Sequence, residues 1–426
     1  MNDRFDLPLS TNPDAAAAYV TAVDNLLCAG ADLVGGFTNA LQLDPDFALA
    51  EIGRARCLAI YGDGTRARES ASRARALAER ATSRERQHVN ALALAVEGRG
   101  AEALHAIKEH LQDFPRDALV LQPAMSAFGL IGFSGRLDRS RELLALVDGL
   151  APHYGDDWWF NAVRAYAEVD GGRVPDAERH VNDSLEREPR NANAAHVRAH
   201  VFYELQEHVS GAAFLRKWLQ DNPGSVLLRG HLSWHLALLE LALGNPDAAW
   251  ALYADEIALP LRNTLAPPTP PLNVLTDSAS FLWRAELCGE PQHAADWQLL
   301  SDFSTRRFPD AGVPYGDFHV AMAHARADEQ GALKKLDLQL SKLALERPAC
   351  GVAAAVGAGL AAYAQEDWSR AADLLSAGRA NTVRLGGSRA QLDLIDMTLM
   401  RAYRHLGLED RARALIAGRP HLQSAA

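Results

Sequence analysis

Two pairs of histidines in the middle of the chain have a spacing that could support chemistry. His196 and His200 form the first pair, and His231 and His235 form the second. Residues four apart lie on the same face of a helix, one turn from each other. Imidazoles exchange protons near neutral pH and bind transition metals, so the pairs predict a ligand-binding site, an acid/base site or a metal site.

The helices that position these histidines belong to a pattern that repeats along the chain. Small residues occur every 35 to 37 positions, at Ala31, Ala67, Ala103, Ser140, Ala177, Ala212 and Ala248. The pattern continues less regularly at Ala294, Ala332, Ala371 and Ala412. A period of about 34 residues is typical of tetratricopeptide helix-turn-helix repeats. We therefore predict an all-α, tetratricopeptide-like α-α superhelix (solenoid) of about eleven helical hairpins over residues 1–426, which could curl around a central pocket.

Two segments depart from this period and are predicted to be insert loops. Residues 261–272 contain a proline-rich run, and residues 306–315 contain two further prolines. Proline removes a backbone donor and cannot occupy a helix interior without breaking it. Both loops lie within residues 155–325, the central region that we expect to carry the pocket. They are either tolerated surface loops or lids over that pocket.

The number of residues between a side chain and the small residue of its hairpin predicts which side chains meet. In this repeat class the first helix of each hairpin lines the concave face. Three histidines lie 12 or 13 residues before that small residue: His200, His235 and His319. Three further residues lie 16 or 17 residues before it: His196, His231 and Asp277. Packed helix axes are about 8 to 10 Å apart, so each set could converge on one ligand.

Other polar and aromatic side chains on first helices extend the predicted ligand-binding site: Trp159, Glu168, Glu204, Ser280 and Arg284. A guanidinium can clamp a carboxylate or phosphate, so this set suits a polar or anionic small molecule. Each residue also has a structural interpretation. Trp159 could belong to a hairpin core, the two glutamates could be satisfied by backbone or arginine neighbours, and Arg284 could form an ion pair with Glu286.

Three functions remain open on these residues. The protein binds a small molecule or a short peptide on its concave face, or it is an enzyme with His200, His235 and His319 as general acid/base residues. In a metal-dependent form, His196, His200, His231 and His235 would bind a divalent transition metal. The third possibility is a protein-protein adaptor. Neither histidine pair contains the glutamate of an HExxH zinc protease motif.

Composition narrows the class of partner and the compartment. The formal net charge is -11 at pH 7, which argues against binding nucleic acid through its phosphates. The four cysteines are far apart, so we expect reduced thiols in the core rather than disulfides or a zinc knuckle. The N-terminus carries no apolar run typical of a secretion signal. We therefore expect a cytoplasmic protein without a membrane partner, and the oligomeric state stays open.

The segments that carry the histidines resemble the tetratricopeptide repeat protein 38 family of bacteria and animals, and the chain is similar to a bacterial member. The resemblance lies in residues 196–201, 231–238, 275–284 and 317–323. The chain departs from the family pattern at residues 202–205. The resemblance implies a helical-repeat fold and strengthens the predicted site, but it supplies no reaction.

Overall fold

Helices account for the regular structure of this protein. The computed structural model describes residues 1–126, 128–224, 226–263 and 268–417. Within these ranges no β-sheet forms, and the only extended pairing is an isolated bridge between Asn2 and Pro8. The chain divides into two compact units, each described separately below. The first contains Met1–Ser134, Arg139–Arg198 and Asn222–Leu228, and the second contains Gly135–Asp138, Ala199–Asp221 and Arg229–Ala426.

The first unit holds the N-terminal helices. They are α1 (Pro13–Leu27), α2 (Leu33–Leu43), α3 (Ala48–Ile60), α4 (Gly64–Ala78), α5 (Ser83–Val96), α6 (Gly100–Asp113), α7 (Ala118–Leu121), α8 (Arg139–Tyr154), α9 (Trp158–Asp170) and α10 (Val174–Arg187). A short 3-10 turn, Gln122–Ala124, follows α7. The next helix, α11 (Ala192–Leu205), belongs to the first unit up to Arg198 and to the second unit from Ala199.

The second unit holds the remaining helices. They are α12 (His208–Asp221), α13 (Val226–Ala242), α14 (Pro246–Leu252), α15 (Leu259–Arg262), α16 (Pro271–Leu287), α17 (Ala294–Arg307), α18 (Pro314–Arg326), α19 (Gln330–Leu343), α20 (Pro348–Ala364), α21 (Trp368–Gly378), α22 (Arg389–His405) and α23 (Glu409–Ala417). The first turn of α13 is assigned to the first unit. A π-helical turn, Tyr253–Ile257, extends α14, and a 3-10 segment, Arg379–Leu385, extends α21.

The order of these helices gives eleven hairpins in the described chain, with α7 opening the fourth and α15 closing the seventh. This confirms the prediction of an all-α, tetratricopeptide-like helical repeat. No helix that the structure describes is long and apolar enough to cross a membrane. The loop predicted at residues 261–272 includes residues 264–267, which lie outside the described ranges. The second loop connects Arg307 at the end of α17 to Pro314 at the start of α18.

Several small residues of the predicted repeat are misplaced. Ala248 and Ala294 are exposed near the starts of α14 and α17, where Ala249 and Trp297 are the buried residues, and Ala31 lies outside its helix. The second helices α4, α6 and α10 begin three residues before Ala67, Ala103 and Ala177. Helix α2 begins at Leu33, so the corresponding position is Gly36, and Ala31 lies in the turn before the helix. A Cβ at Gly36 would lie 3.1 Å from Cβ of Ala22 on α1. The prediction for Ala31 is wrong because a glycine occupies the point where the first two helices approach closely.

The thiols only partly follow the expectation of core residues. Cys57 and Cys350 are buried, Cys28 is half-buried, and all four thiols are free. Cys288 ends α16 at an exposed position, so the core prediction is wrong for this residue.

One turn recurs at the ends of the first helices. Its central residue has a left-handed backbone conformation, at Ala29, Gly62, Gly98, Gly172, Gln206, Gly244, Gly289, Asp328, Glu366 and Gly407. The following residue donates its backbone N–H to the carbonyl five residues earlier, at 2.7 to 3.0 Å in all ten cases. This is the Schellman arrangement, which satisfies carbonyls that a helix end otherwise leaves without partners. The hairpin therefore depends on a residue that tolerates positive φ.

The substitution Gly98→Ala tests this dependence. A Cβ at Gly98, where φ is +78°, would meet no atom within 4 Å, so only backbone strain opposes it. We expect a loss of about 1 kcal/mol in the free energy of unfolding, measured by urea denaturation. Gly149→Ala is the matched control, because Gly149 lies within α8 and its Cβ would also meet open space. It should gain about 0.5 to 1 kcal/mol. An equal effect of both substitutions would contradict the assignment.

Candidate functional site

The predicted site residues are divided between the two units. Trp159, Glu168 and His196 lie in the first unit. The second unit contains the others, on the last turns of α11 and on α13, α16 and α18: His200, Glu204, His231, His235, Asp277, Ser280, Arg284 and His319. All these helices open their hairpins. The metal-ligand set of His196, His200, His231 and His235 stays a prediction.

Two of the first-unit residues pack against neighbours on adjacent helices. The buried Glu168 carboxylate lies 2.7 Å from Nδ1 of His180 on α10 and accepts a hydrogen bond of 3.1 Å from Nε of Arg164. Trp159 is 2% exposed, and its ring centroid lies 6.0 Å from that of Tyr154. These contacts match the structural interpretation of both side chains.

Within the second unit, three histidines pack against one another. The rings of His200 and His235 meet edge to face with centroids 4.7 Å apart, and those of His231 and His235 lie 4.9 Å apart. Burial, together with the neighbouring His231, lowers the pKa of His200 to about 3. His200 is therefore a neutral hydrogen-bonding group near pH 7 rather than a cation.

Asp277 orients one of these imidazoles. Nδ1 of His231 lies 2.9 Å from each carboxylate oxygen of Asp277 on α16, and both side chains are buried. A carboxylate on one ring nitrogen fixes the tautomer and directs the other nitrogen away from it. The pair has the arrangement of a general base or of a metal-ligating histidine with its supporting carboxylate.

His319 leaves a buried acceptor in the second unit. Its Nδ1 donates to the backbone carbonyl of Tyr315, one turn earlier on α18, at 2.8 Å. Its Nε2 is buried and has no hydrogen-bond partner among the described residues. Burial lowers the pKa of His319 to about 3, and the charge of Arg284 also lowers it. At neutral pH, Nε2 is therefore a lone pair that could accept a hydrogen bond.

Arg284 is buried without a counter-charge. It lies two turns after Asp277 on α16 and is 5% exposed. Its guanidinium donates to Oγ of Ser280 at 3.3 Å, and to Sδ of Met397 at 3.1 Å and the carbonyl of Ala390 on α22. It forms no ion pair with any carboxylate that the structure describes.

The ion-pair alternative for this arginine is wrong. Glu286, the partner that the sequence offers, contacts Nη2 of Arg326 at 2.6 Å instead and accepts from Nε1 of Trp297 at 2.6 Å. Arg284 and Glu286 contact different partners because residues two positions apart on a helix do not share a face.

Helix α22 supplies polar residues that sequence analysis missed. Asp393 accepts a hydrogen bond from the Tyr203 hydroxyl at 2.7 Å, and Arg389 forms an ion pair with Glu204 at 3.0 Å. Thr398 accepts from Nε1 of Trp283 at 2.9 Å. The signal available in the sequence was the presence of polar residues on the first helix of the last hairpin, which lies outside the central region, residues 155–325, where the site was predicted.

The hairpins and their recurring turn define a helical-repeat protein of the tetratricopeptide-like class. No protein-family model matches the chain. Solved structures with similar folds include yeast Tom70, which is 12% identical over 95% of this chain and 90% of its own, with a TM-score of 0.43. The APC/C hetero-tetramer Cut9-Hcn1 gives 13% identity over 99% of this chain and 87% of that chain, with a TM-score of 0.37. At such scores these similarities carry no argument about function.

His319 makes stability depend on pH. An unfolded histidine binds a proton below about pH 6.5, whereas the folded ring stays neutral down to about pH 3. The free energy of unfolding should therefore fall as the pH drops between these values and be unaffected by this residue above them. We expect His319→Gln to reduce that slope by up to about 1.4 kcal/mol per pH unit, measured by urea denaturation.

The matched control for this measurement is His105→Gln. The His105 side chain is 75% exposed, so its ring keeps its hydration on folding. An unchanged slope in the His319 variant, or the same reduction in both variants, would show that the His319 ring is not held neutral.

Proposed function

We propose that the second unit binds a small anionic molecule with Arg284 as its anchor. The observation that carries this proposal is a guanidinium that is 5% exposed and has no carboxylate partner in the described residues. The ligand class is a carboxylate or a phosphate, because the planar guanidinium matches both in a two-point hydrogen-bonded geometry.

Energetics support an incomplete site around Arg284. Burying a charge costs several kcal/mol unless a partner compensates for it. The thioether of Met397 is a weak acceptor, and the Ser280 hydroxyl and the Ala390 carbonyl are neutral ones, so these contacts compensate only in part. The carboxylate of Asp277 on the same helix is already committed to His231. An anion from solution would supply the missing charge.

The neighbouring histidines suit the rest of such a ligand. His200 and His319 are neutral near pH 7 because burial lowers their pKa values to about 3. Of these three side chains, Arg284 is therefore the one that carries a positive charge near pH 7. The unpartnered Nε2 of His319 accepts hydrogen bonds, so a hydroxyl group on the ligand would satisfy it. We propose a hydroxylated carboxylate or a phosphate ester as the ligand.

The remaining predicted residues fit this proposal to different degrees. His231, His235 and Ser280 lie on the same helices as the residues that carry it. Glu204 already binds Arg389, so it would order α22 rather than contact the ligand. We also propose that the chain is related to the tetratricopeptide repeat protein 38 family. This relationship is compatible with any anionic ligand.

The substitution Arg284→Met separates a ligand-binding role from a structural one. A functional arginine costs the free protein stability, so the variant should be as stable as wild type or more stable by about 1 kcal/mol. Inorganic phosphate, the probe, should raise the thermal midpoint of wild type and bind at least about tenfold more weakly to the variant, measured by calorimetry.

Arg229→Met provides the control in the same unit. Arg229 is half-buried and binds Glu256 through two nitrogens, at 2.7 and 2.9 Å. Its loss should lower stability without changing phosphate affinity. A loss of several kcal/mol in the Arg284 variant, with no phosphate binding to wild type, would assign Arg284 a packing role and favour the adaptor.

Catalysis is the second candidate function, favoured by the His231–Asp277 pair. A carboxylate on Nδ1 and a reacting group at Nε2 is the arrangement of a histidine general base. His200 and His319 would then line the reaction site as neutral groups, together with His235. Arg284 would bind the anionic part of the substrate in this candidate too.

The substitution Asp277→Asn tests catalysis with p-nitrophenyl phosphate as substrate. An asparagine cannot stabilise a protonated imidazole, so kcat should fall about 100-fold while KM and phosphate affinity stay unchanged. The Arg284→Met variant should raise KM instead. A wild-type protein that hydrolyses this ester no faster than buffer does would remove phosphate-ester hydrolysis as a candidate.

A further inference from the structure

A cluster of metal-ligating side chains lies in the first unit, apart from the residues discussed above. Oδ2 of Asp117, just before α7, lies 2.9 Å from Nδ1 of His88 on α5 and 3.0 Å from Nε2 of His110 on α6. All three side chains are buried, and one ligand atom from each lies within 4.8 Å of the others. We propose that the first unit binds a divalent transition metal, zinc being the best match, between His88, His110 and Asp117.

The geometry of the three side chains is close to that of a zinc site. Zinc takes imidazole nitrogens and carboxylate oxygens at about 2.0 to 2.2 Å in a tetrahedron, which places its ligand atoms about 3.3 to 3.5 Å apart. The two contacts of Asp117 are 2.9 and 3.0 Å, so shifts of a few tenths of an ångström would suffice. Three protein ligands and one water would complete the tetrahedron.

The surroundings of His110 resemble the outer shell of a metal site. Its second nitrogen, Nδ1, lies 3.2 Å from the side-chain carbonyl oxygen of Gln87. A metal-ligating histidine usually donates its other N–H to such an oxygen, which fixes the tautomer and the ring orientation. Gln87 therefore leaves Nε2 of His110 to face Asp117 as a ligand.

His88 would bind the metal through Nδ1, the nitrogen that faces Asp117. Its ring is 1% exposed, and its Nε2 has no hydrogen-bond partner in the part of the chain that the structure describes. His88 therefore lacks the supporting oxygen that Gln87 gives to His110.

One basic side chain contacts the cluster. Nη1 of Arg84 lies 2.9 Å from Oδ2 of Asp117, the oxygen that both imidazoles approach. The Asp117 carboxylate is therefore held in one position between the two histidines.

The test is a zinc titration of untagged, full-length protein after removal of metal by a chelator. Wild type should bind one equivalent in competition with a chromophoric chelator and gain thermal stability on binding. His110→Gln should lose that equivalent. His180→Gln is the matched control, because His180 is a buried histidine of the same unit that contacts a carboxylate, Glu168, at 2.7 Å without a second histidine. It should retain full binding.

Two further measurements test the proposal even if His110→Gln fails to fold. Gln87→Leu removes only the oxygen behind His110 and should weaken zinc binding by about 10- to 100-fold. Cobalt bound to wild type should give the visible absorption of a tetrahedral nitrogen and oxygen site, and His231→Gln, in the second unit, should leave it unchanged. Less than about a tenth of an equivalent bound, or a bound metal that only His231→Gln removes, would overturn the proposal.

Discussion

The turn that ends ten of the eleven described first helices is the interaction on which this architecture depends. A helix of this length leaves its last carbonyls without partners, and the hairpin places that end against the next helix. The N–H that returns to the carbonyl five residues earlier satisfies one of them, and it requires one residue with positive φ. Glycine occupies this position in six of the ten turns. The chain reverses direction at a defined residue each time.

A fixed turn also sets the height of every side chain on a first helix. His235, Ser280 and His319 each lie nine residues before the positive-φ residue of their turn, which is Gly244, Gly289 and Asp328 respectively. They consequently occupy equivalent positions on α13, α16 and α18. His200 lies six residues before Gln206, so it reaches the ring of His235 from a different height.

Most of the fold could be predicted from the sequence, because close helix packing forces small residues into a regular period. The prediction fails at Ala31, where Gly36 makes the close approach, and at Ala248 and Ala294, which are exposed. The spacing also predicted that His231 and Asp277 share a height, and they lie 2.9 Å apart. The contacts of Arg284 could not be predicted in this way. They come from α22, more than a hundred residues later, and no local spacing encodes that neighbour.

The buried charges of the two units are compensated to different degrees. Buried carboxylates such as Glu168 are compensated by arginine and histidine neighbours, whereas Arg284 in the second unit has no carboxylate partner among the described residues. Such an imbalance costs stability in the free protein. It persists in a folded chain when something that binds the folded state supplies the missing charge.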